Sequence, residues 1–191
     1  MENVFKILSM EYFDILDKDG NPTGRIKPRD DVHRDGDWHA STHLWIINSK
    51  QELLIQKRSP EKESHPNLWD ISSAGHVPAG TDIITSAVRE AEEELGIDVD
   101  PKKMEFLFRL PVQAVLNNGT FINNEYNDVF LTTMDVETKD MTLQSEEVSE
   151  VKFIPWRELE KIIAAGDLGF VKHAEYVPLF KLLHQRFDRV G

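Results

Sequence analysis

Glu90, Glu93 and Glu94 stand at i, i+3 and i+4 near the end of a segment, 82–95, whose apolar residues recur every three or four positions. At about 100° per residue this spacing gathers the three carboxylates into one patch of a helix, while Glu92 points elsewhere. Like charges so placed destabilise an isolated helix by roughly a few tenths of a kcal/mol per pair, and they also sit near the negative end of its dipole. A hard divalent cation removes that cost. Mg²⁺ (or Mn²⁺) favours carboxylate oxygens, keeps some of its waters and bridges readily to phosphate oxygens. On spacing alone, a solvated acidic helix face accounts for the patch equally well.

The elements that must position this patch follow from periodicity. Within 82–95, Ile84, Ala87, Val88, Ala91 and Leu95 fall in one arc, which predicts a core-facing stripe, and Gly96 is a helix stop. Ahead of it, 43–48 and 53–57 are apolar, β-branched or aromatic runs joined through Ser49-Lys50-Gln51, a hairpin signal. The charged stretch 58–69, with Pro60 and Pro66, reads as a connecting loop. Strands are predicted at 104–115, 125–133 and 148–154, and helices at 156–165 and 176–187. A further short hairpin, 12–26, turns about Asp19-Gly20-Asn21-Pro22. We read residues 1–30 as an N-terminal hairpin extension and 31–191 as the main body of the same domain. The pattern predicts an α/β protein of the α+β type, with helices covering a mixed sheet. Asp17-Lys18-Asp19-Gly20-Asn21 is not a calcium loop, because its glycine is fourth instead of sixth and no Glu closes it.

Composition limits the chemistry further. A chain of 191 residues suffices for one ordinary domain, and 40% hydrophobic residues supply its core. The formal charge of -12 disfavours nucleic acid and anionic membranes as partners. There is no cysteine, hence no disulfide, thiolate metal site or thiol nucleophile. Glu2, Lys6 and Glu11 interrupt the apolar residues of the N-terminus, so we expect no secretory leader and a cytoplasmic location. Monomer and homodimer are both open.

Gly75, Arg89, Glu90, Glu93, Glu94, Gly96 and Ile97, with Ala91 at an apolar place, resemble the Nudix box G-x5-E-x7-R-E-U-x-E-E-x-G-U, where U is apolar. The departure is Thr81, which stands where the box has its first Glu. The resemblance implies a Nudix-like α/β/α sandwich and a divalent-metal-dependent hydrolase that cleaves a diphosphate linkage in a small molecule. It implies Glu90, Glu93 and Glu94 as metal ligands, and Gly75 as the place where the loop backbone adds a carbonyl. Glu90 or Glu93 is the implied catalytic base, and Arg89 the residue that orients a glutamate. The chemistry is consistent, since a diphosphate and a glutamate cluster repel one another unless cations lie between them.

Residues 39–45, 69–76 and 123–130 are further similar to the Nudix branch that contains type-1 isopentenyl-diphosphate isomerase. Glu125 matches its catalytic strand glutamate and His39 one of its ligand histidines, while His33 is one residue out of register for another. Ala74 stands at the place of the isomerase cysteine, Asn123 at that of a metal-binding glutamate. Without the thiol one of two acid/base groups is missing. Diphosphate hydrolysis on an isomerase-like scaffold is therefore expected, with isomerase-type activity and a non-catalytic diphosphate-binding module as the alternatives. Lys57 and Arg58, which end a strand leading to the glycine, and His39 are the candidate substrate contacts. His43 and His76 are further potential ligands. Asn123, Glu125 and Asn127 share one side of a strand, with Asn124 and Asp128 on the other, which suggests a cavity wall. Glu146 and Glu147 are either a further base or a charged loop.

Overall fold

The structure is a computed structural model and describes residues 10–188. The first nine residues, on which the expected absence of a leader and part of the N-terminal extension rest, and the last three lie outside the described residues. β1 (Tyr12–Leu16) and β2 (Pro22–Pro28) form the expected antiparallel hairpin. Its turn is closed by Asp17, whose Oδ1 accepts from the backbone N–H groups of Asp19 and Asn21 at 2.9 Å each. The carboxylate that suggested a cation loop is thus used to cap a turn. A short helix not foreseen from the sequence, α1 (Arg29–Asp35), follows and stops at Gly36, which has φ 69°.

β3 (Trp38–Ile47) and β4 (Glu52–Arg58) are joined by the predicted turn, but their register contains a single partner pair, Ile47 with Leu53. The two strands then take different neighbours. β3 pairs with β6 (Ser73–His76) and, in parallel along its whole length, with β8 (Phe121–Thr133). β4 pairs with β5 (Trp69–Asp70) and β9 (Val148–Pro155). β7 (Glu105–Leu116) completes a long hairpin with β8. Where β3 and β4 part, the Ser72 hydroxyl donates to the Leu54 carbonyl at 2.7 Å and accepts from the Ile46 N–H at 2.9 Å, which satisfies the backbone groups left without a strand neighbour. This divergence opens a cleft between the two halves of a nine-stranded mixed sheet.

The sheet is covered on both faces, because alternate residues of β3 supply two cores. Leu44 and Ile46 pack with Leu54 and Phe130 against Val88, Ala91 and Leu95 of α2 (Ile83–Leu95). Trp45 and Ile47 pack with Val129 and Leu131 against Trp156 and Leu159 of α3 (Trp156–Ala164) and Leu179, Phe180 and Leu183 of α4 (Tyr176–Phe187). Each of the large aliphatic and aromatic side chains among these contributes about 1.5–3 kcal/mol on burial. The expected α/β sandwich is therefore present. One detail of the stripe is corrected: Ile84 is 37% exposed and Ile83 packs on the core in its place. The buried face of α2 is rotated towards Glu90 and Glu94, because β6 packs against that side of the helix and carries Gly75 to it. Among the described residues no helix is long and apolar enough to cross a membrane.

Candidate active site and metal centre

Asp82 caps α2, its Oδ1 accepting from the Thr85 N–H at 2.9 Å, and Gly96 ends it with φ 66°. Between these stops the helix sets the three carboxylates at different depths. Glu94 is 7% exposed, the Glu90 side chain 15% and the Glu93 side chain 51%. Arg89 joins two of them, with Nη2 at 2.6 Å from Glu90 Oε1 and Nη1 at 2.9 Å from Glu93 Oε2. Glu94 receives a 3.3 Å hydrogen bond from Gln56 Nε2 of β4. Glu90 lies so close to β6 that a Cβ built on Gly75 falls 2.1 Å from its Cδ, so only glycine leaves room for the carboxylate. The Gly75 carbonyl accepts from Ser41 Oγ at 3.1 Å.

Burial pushes the carboxyl of Glu90 up to about 7, against the opposing pull of Arg89. Burial, with Glu90 as neighbour, pushes that of Glu94 up to about 8. Two buried acids that disfavour their own charge are a donor set that a hard divalent cation satisfies.

A second group of ligand atoms lies in and behind one wall of the cleft. His33, His39 and His76 offer ring nitrogens within 4.8 Å of one another. His76 Nε2 is 2.9 Å from Glu125 Oε1 and His39 Nε2 is 3.7 Å from it. The Nε2 atoms of His33 and His39 and the Oδ1 of Asn123 are buried without a partner. Burial, with His76 and His39 beside it, lowers His33 to about 3, so its ring is neutral and fit to ligate. Burial works to raise Glu125, but the imidazoles of His39 and His76 beside it outweigh it and hold its carboxyl well below the usual range. The sequence register had placed His33 one residue out. α1 carries it into the cluster all the same, with its ring centroid 5.0 Å from that of His39.

The cleft between these groups has a volume of about 470 Å³ and is rimmed by cations. Arg29, Arg58, Lys62, Arg89 and Lys172 line it together with Glu90, Glu93 and Glu94. Carboxylates that can hold a metal and guanidinium or ammonium groups that can hold phosphate oxygens thus share one space.

The NUDIX domain model matches residues 37–174. The chain belongs to the Nudix family. It is 45% identical over 185 residues to Nudix hydrolase 3 of Arabidopsis thaliana, covering 94% of this chain but only 24% of the plant protein's length. It is 34% identical over 179 residues to an uncharacterised Nudix hydrolase of Listeria innocua, covering 94% of this chain and 95% of that one. It is also 31% identical over 150 residues to an isopentenyl-diphosphate Delta-isomerase of Photorhabdus laumondii, covering 78% and 80% of the two chains. In fold it resembles the crystal structure of DR0079 from Deinococcus radiodurans, with a TM-score of 0.67 at 24% identity over 93% of this chain and 99% of that one. The enzyme class follows with the family: a Nudix hydrolase acting on a phosphorus-containing anhydride.

Of the site residues expected from the Nudix box and its branch, Gly75, Glu90, Glu93, Glu94, Glu125 and Arg58 all line the cleft. Arg58 is already engaged, donating to Asp70 Oδ2 at 2.9 Å and to Ser64. Lys57 does not line the cleft: it projects on the opposite side of β4, where its ammonium sits 5.9 Å from the centre of the Trp69 ring. His39 is fully buried behind the wall and stacks on Phe13 at 5.1 Å, so it touches Glu125 but does not open on the cleft. Thr81 is not among the lining residues, and no acidic residue replaces it in the first turn of α2. Only one side of β8 faces the cavity. Asn123, Glu125 and Asn127 line it, whereas Asn124 donates to the Gly36 carbonyl at 2.7 Å and Asp128 pairs with Arg109. Glu147 lines the cleft and pairs with Lys62, and Glu146 does not line it. Arg29 and Lys62 went unnoticed in the sequence, where both looked like ordinary solvated charges; no local signal marked them.

The depth of the glutamates has a consequence for stability. In the cation-free protein Glu90 and Glu94 titrate above the ordinary glutamate value of 4.5, at about 7 and about 8. The folded state then binds more protons than the unfolded chain between those values, so stability falls as pH rises through that window. A cation bound to the carboxylates cancels this loss. Millimolar Mg²⁺ is therefore expected to raise Tm by several degrees more at pH 8 than at pH 6 in a thermal melt. Equal shifts at both pH values would mean that these two carboxyls are not the ligands.

Proposed function

We propose that the protein is a cytoplasmic, divalent-metal-dependent hydrolase of a small-molecule diphosphate, with Mg²⁺ or Mn²⁺ held by Glu90, Glu93 and Glu94 and with the Gly75 carbonyl beside them. The observation that carries this reading is the pair of buried, charge-averse carboxylates on α2 facing a cleft rimmed by cations. When bound, the metal supplies neutralisation of the phosphate oxygens and a more acidic water.

The chain's own residues do the rest. Arg29, Lys62 and Lys172 receive the phosphate oxygens, and Arg58 holds the adjoining wall through Asp70. Arg89 fixes the carboxylates of Glu90 and Glu93. Glu93 is far more open to solvent than Glu90, which suits it better to accept the proton of an attacking water and return it to bulk. Glu125, held ionised, serves as a charge partner of the histidine cluster and not as a proton donor. His33, His39 and His76 with Glu125 form a donor set suited to a second, softer divalent ion.

Isomerase-type activity lacks support at the chemical step, because Ala74 faces His43 across the β6–β3 pairing and offers no acid or base. The test is turnover of a panel of diphosphates with Mg²⁺ or Mn²⁺: nucleoside diphosphate sugars, dinucleotides, isoprenoid diphosphates and thiamine diphosphate. We expect metal-dependent release of phosphate or a monophosphate from at least one of them. Binding of the whole panel without cleavage would make the protein a binding module, and a shifted double bond without phosphate release would make it an isomerase.

A further inference from the structure

At the deep end of the cleft a chain of side chains runs from the core to the cavity and finishes in an unused amide. Trp45 Nε1 donates to Glu175 Oε1 at 2.7 Å, and the other oxygen of Glu175 takes the Nδ1 of His43. His43 Nε2 is 3.2 Å from the Nδ2 of Asn127. Every polar side-chain atom in this series has a partner except the last, Asn127 Oδ1, which is buried and unpaired. Asn127 is 3% exposed and lines the cleft.

The surroundings are polar too. His173 Nε2 is 2.6 Å from Asp70 Oδ1, Arg58 pairs with the other oxygen of Asp70, and the His173 ring stands edge-on to His43 at 5.4 Å. Asn127 is in register with Ser41, which is in register with His76, so roughly 10 Å of sheet separates Asn127 from the strand that cradles Glu90. Asn127 thus lies across β3 from the strand beside the glutamates, where the part of a substrate that is not phosphate would come to rest. Val112 and Ala114 of β7, opposite Glu125 and Asn123 of the same β8 row, give the cleft next to Asn127 an apolar side.

An amide anchored at one end can turn its oxygen or its NH₂ to the cleft according to whether His43 accepts or donates. In either orientation the free end calls for a hydrogen-bonding partner. We infer that Asn127 is a specificity-determining residue, reading a polar head group on the substrate. The group must have an apolar face and hydrogen-bonding edges, as a nucleobase or a sugar has. A purely hydrocarbon head, such as a prenyl chain, leaves the amide buried and unpaired and is disfavoured by roughly 10- to 100-fold. This inference rests on the diphosphate reading of the cleft and sharpens it.

The experiment measures affinity and turnover in the same samples, with Mg²⁺ present, for a nucleoside diphosphate sugar, the matching nucleoside diphosphate, isopentenyl diphosphate and inorganic pyrophosphate. The wild-type protein is expected to bind a polar-headed compound at least about 10-fold more tightly than isopentenyl diphosphate. Asn127→Leu, or Asn127→Ala should the leucine variant not fold, is expected to erase that preference while leaving affinity for pyrophosphate unchanged. Loss on the nucleoside diphosphate itself places the base at Asn127; loss confined to the sugar conjugate places the sugar there. Equal or tighter binding of isopentenyl diphosphate by the wild type overturns the inference, and so does a variant that weakens all four compounds in parallel. Selective binding without any cleavage would sink the hydrolase reading but leave the role of Asn127 standing.

Discussion

Glu94→Gln and Glu93→Gln are each expected to lower kcat/KM on a cleaved diphosphate by about 10²- to 10⁴-fold. The two variants should separate by their effects on stability. Glu94 is almost wholly buried and pays no visible return for its charge in the cation-free protein, since its contact is a 3.3 Å hydrogen bond from Gln56. Glutamine keeps its shape and removes the charge, so the melting temperature without metal should hold or rise while the Mg²⁺-dependent increase disappears. Glu93 is half exposed and bonded to Arg89, so its replacement should change cation-free stability by less than about 1 kcal/mol. Steady-state kinetics with thermal melts, with and without Mg²⁺, check both. An active Glu94→Gln enzyme with an intact metal response would remove the central ligand from the mechanism.

Gly75→Ala is expected to do nearly as much damage without touching a charge. The added methyl would lie 2.1 Å from Glu90 Cδ and 2.4 Å from its Oε1, inside the distance any pair of atoms tolerates. Either Glu90 leaves the cluster or β6 moves away from α2. In both cases the three carboxylates no longer converge, and activity should fall about 100-fold or more with a destabilisation of roughly 1–3 kcal/mol. Truncating the other partner tells the two causes apart. In the Gly75→Ala, Glu90→Ala double variant the clash is gone, so stability should return towards wild type while activity does not. Recovery of activity in that variant would mean that Glu90 is dispensable and that Gly75 acts through strand geometry alone.

Much of the architecture was legible in the residue pattern. The two hairpins, the helix stopped by Gly96, and the strands and helices that follow it all lie close to where periodicity put them. The misses share a cause. β5 and β6 are too short for an alternation to show, and α1 is a two-turn helix with a charged sequence. The first residues of β8, Phe121–Thr133, include Asn123 and Asn124, which have poor strand propensity and are held there by pairing with β7 and β3. Lys57 and Arg58 are neighbours with the same charge, yet alternation along β4 sends one to Trp69 and the other to the cleft.

The sequence by itself determined the carboxylate patch and its helix, because residues at i, i+3 and i+4 meet whatever the rest of the chain does. It also determined that no thiol takes part and, through the box from Gly75 to Ile97, which family the chain joins. Only the tertiary structure decided how deep each glutamate lies, which histidines meet and what Asn127 faces. Those outcomes depend on β3 leaving β4 to pair with β8, and on α4 bringing Glu175 under His43. Such contacts join segments far apart in the chain. Local periodicity cannot encode them, since they are selected by the burial of both faces of the sheet at once.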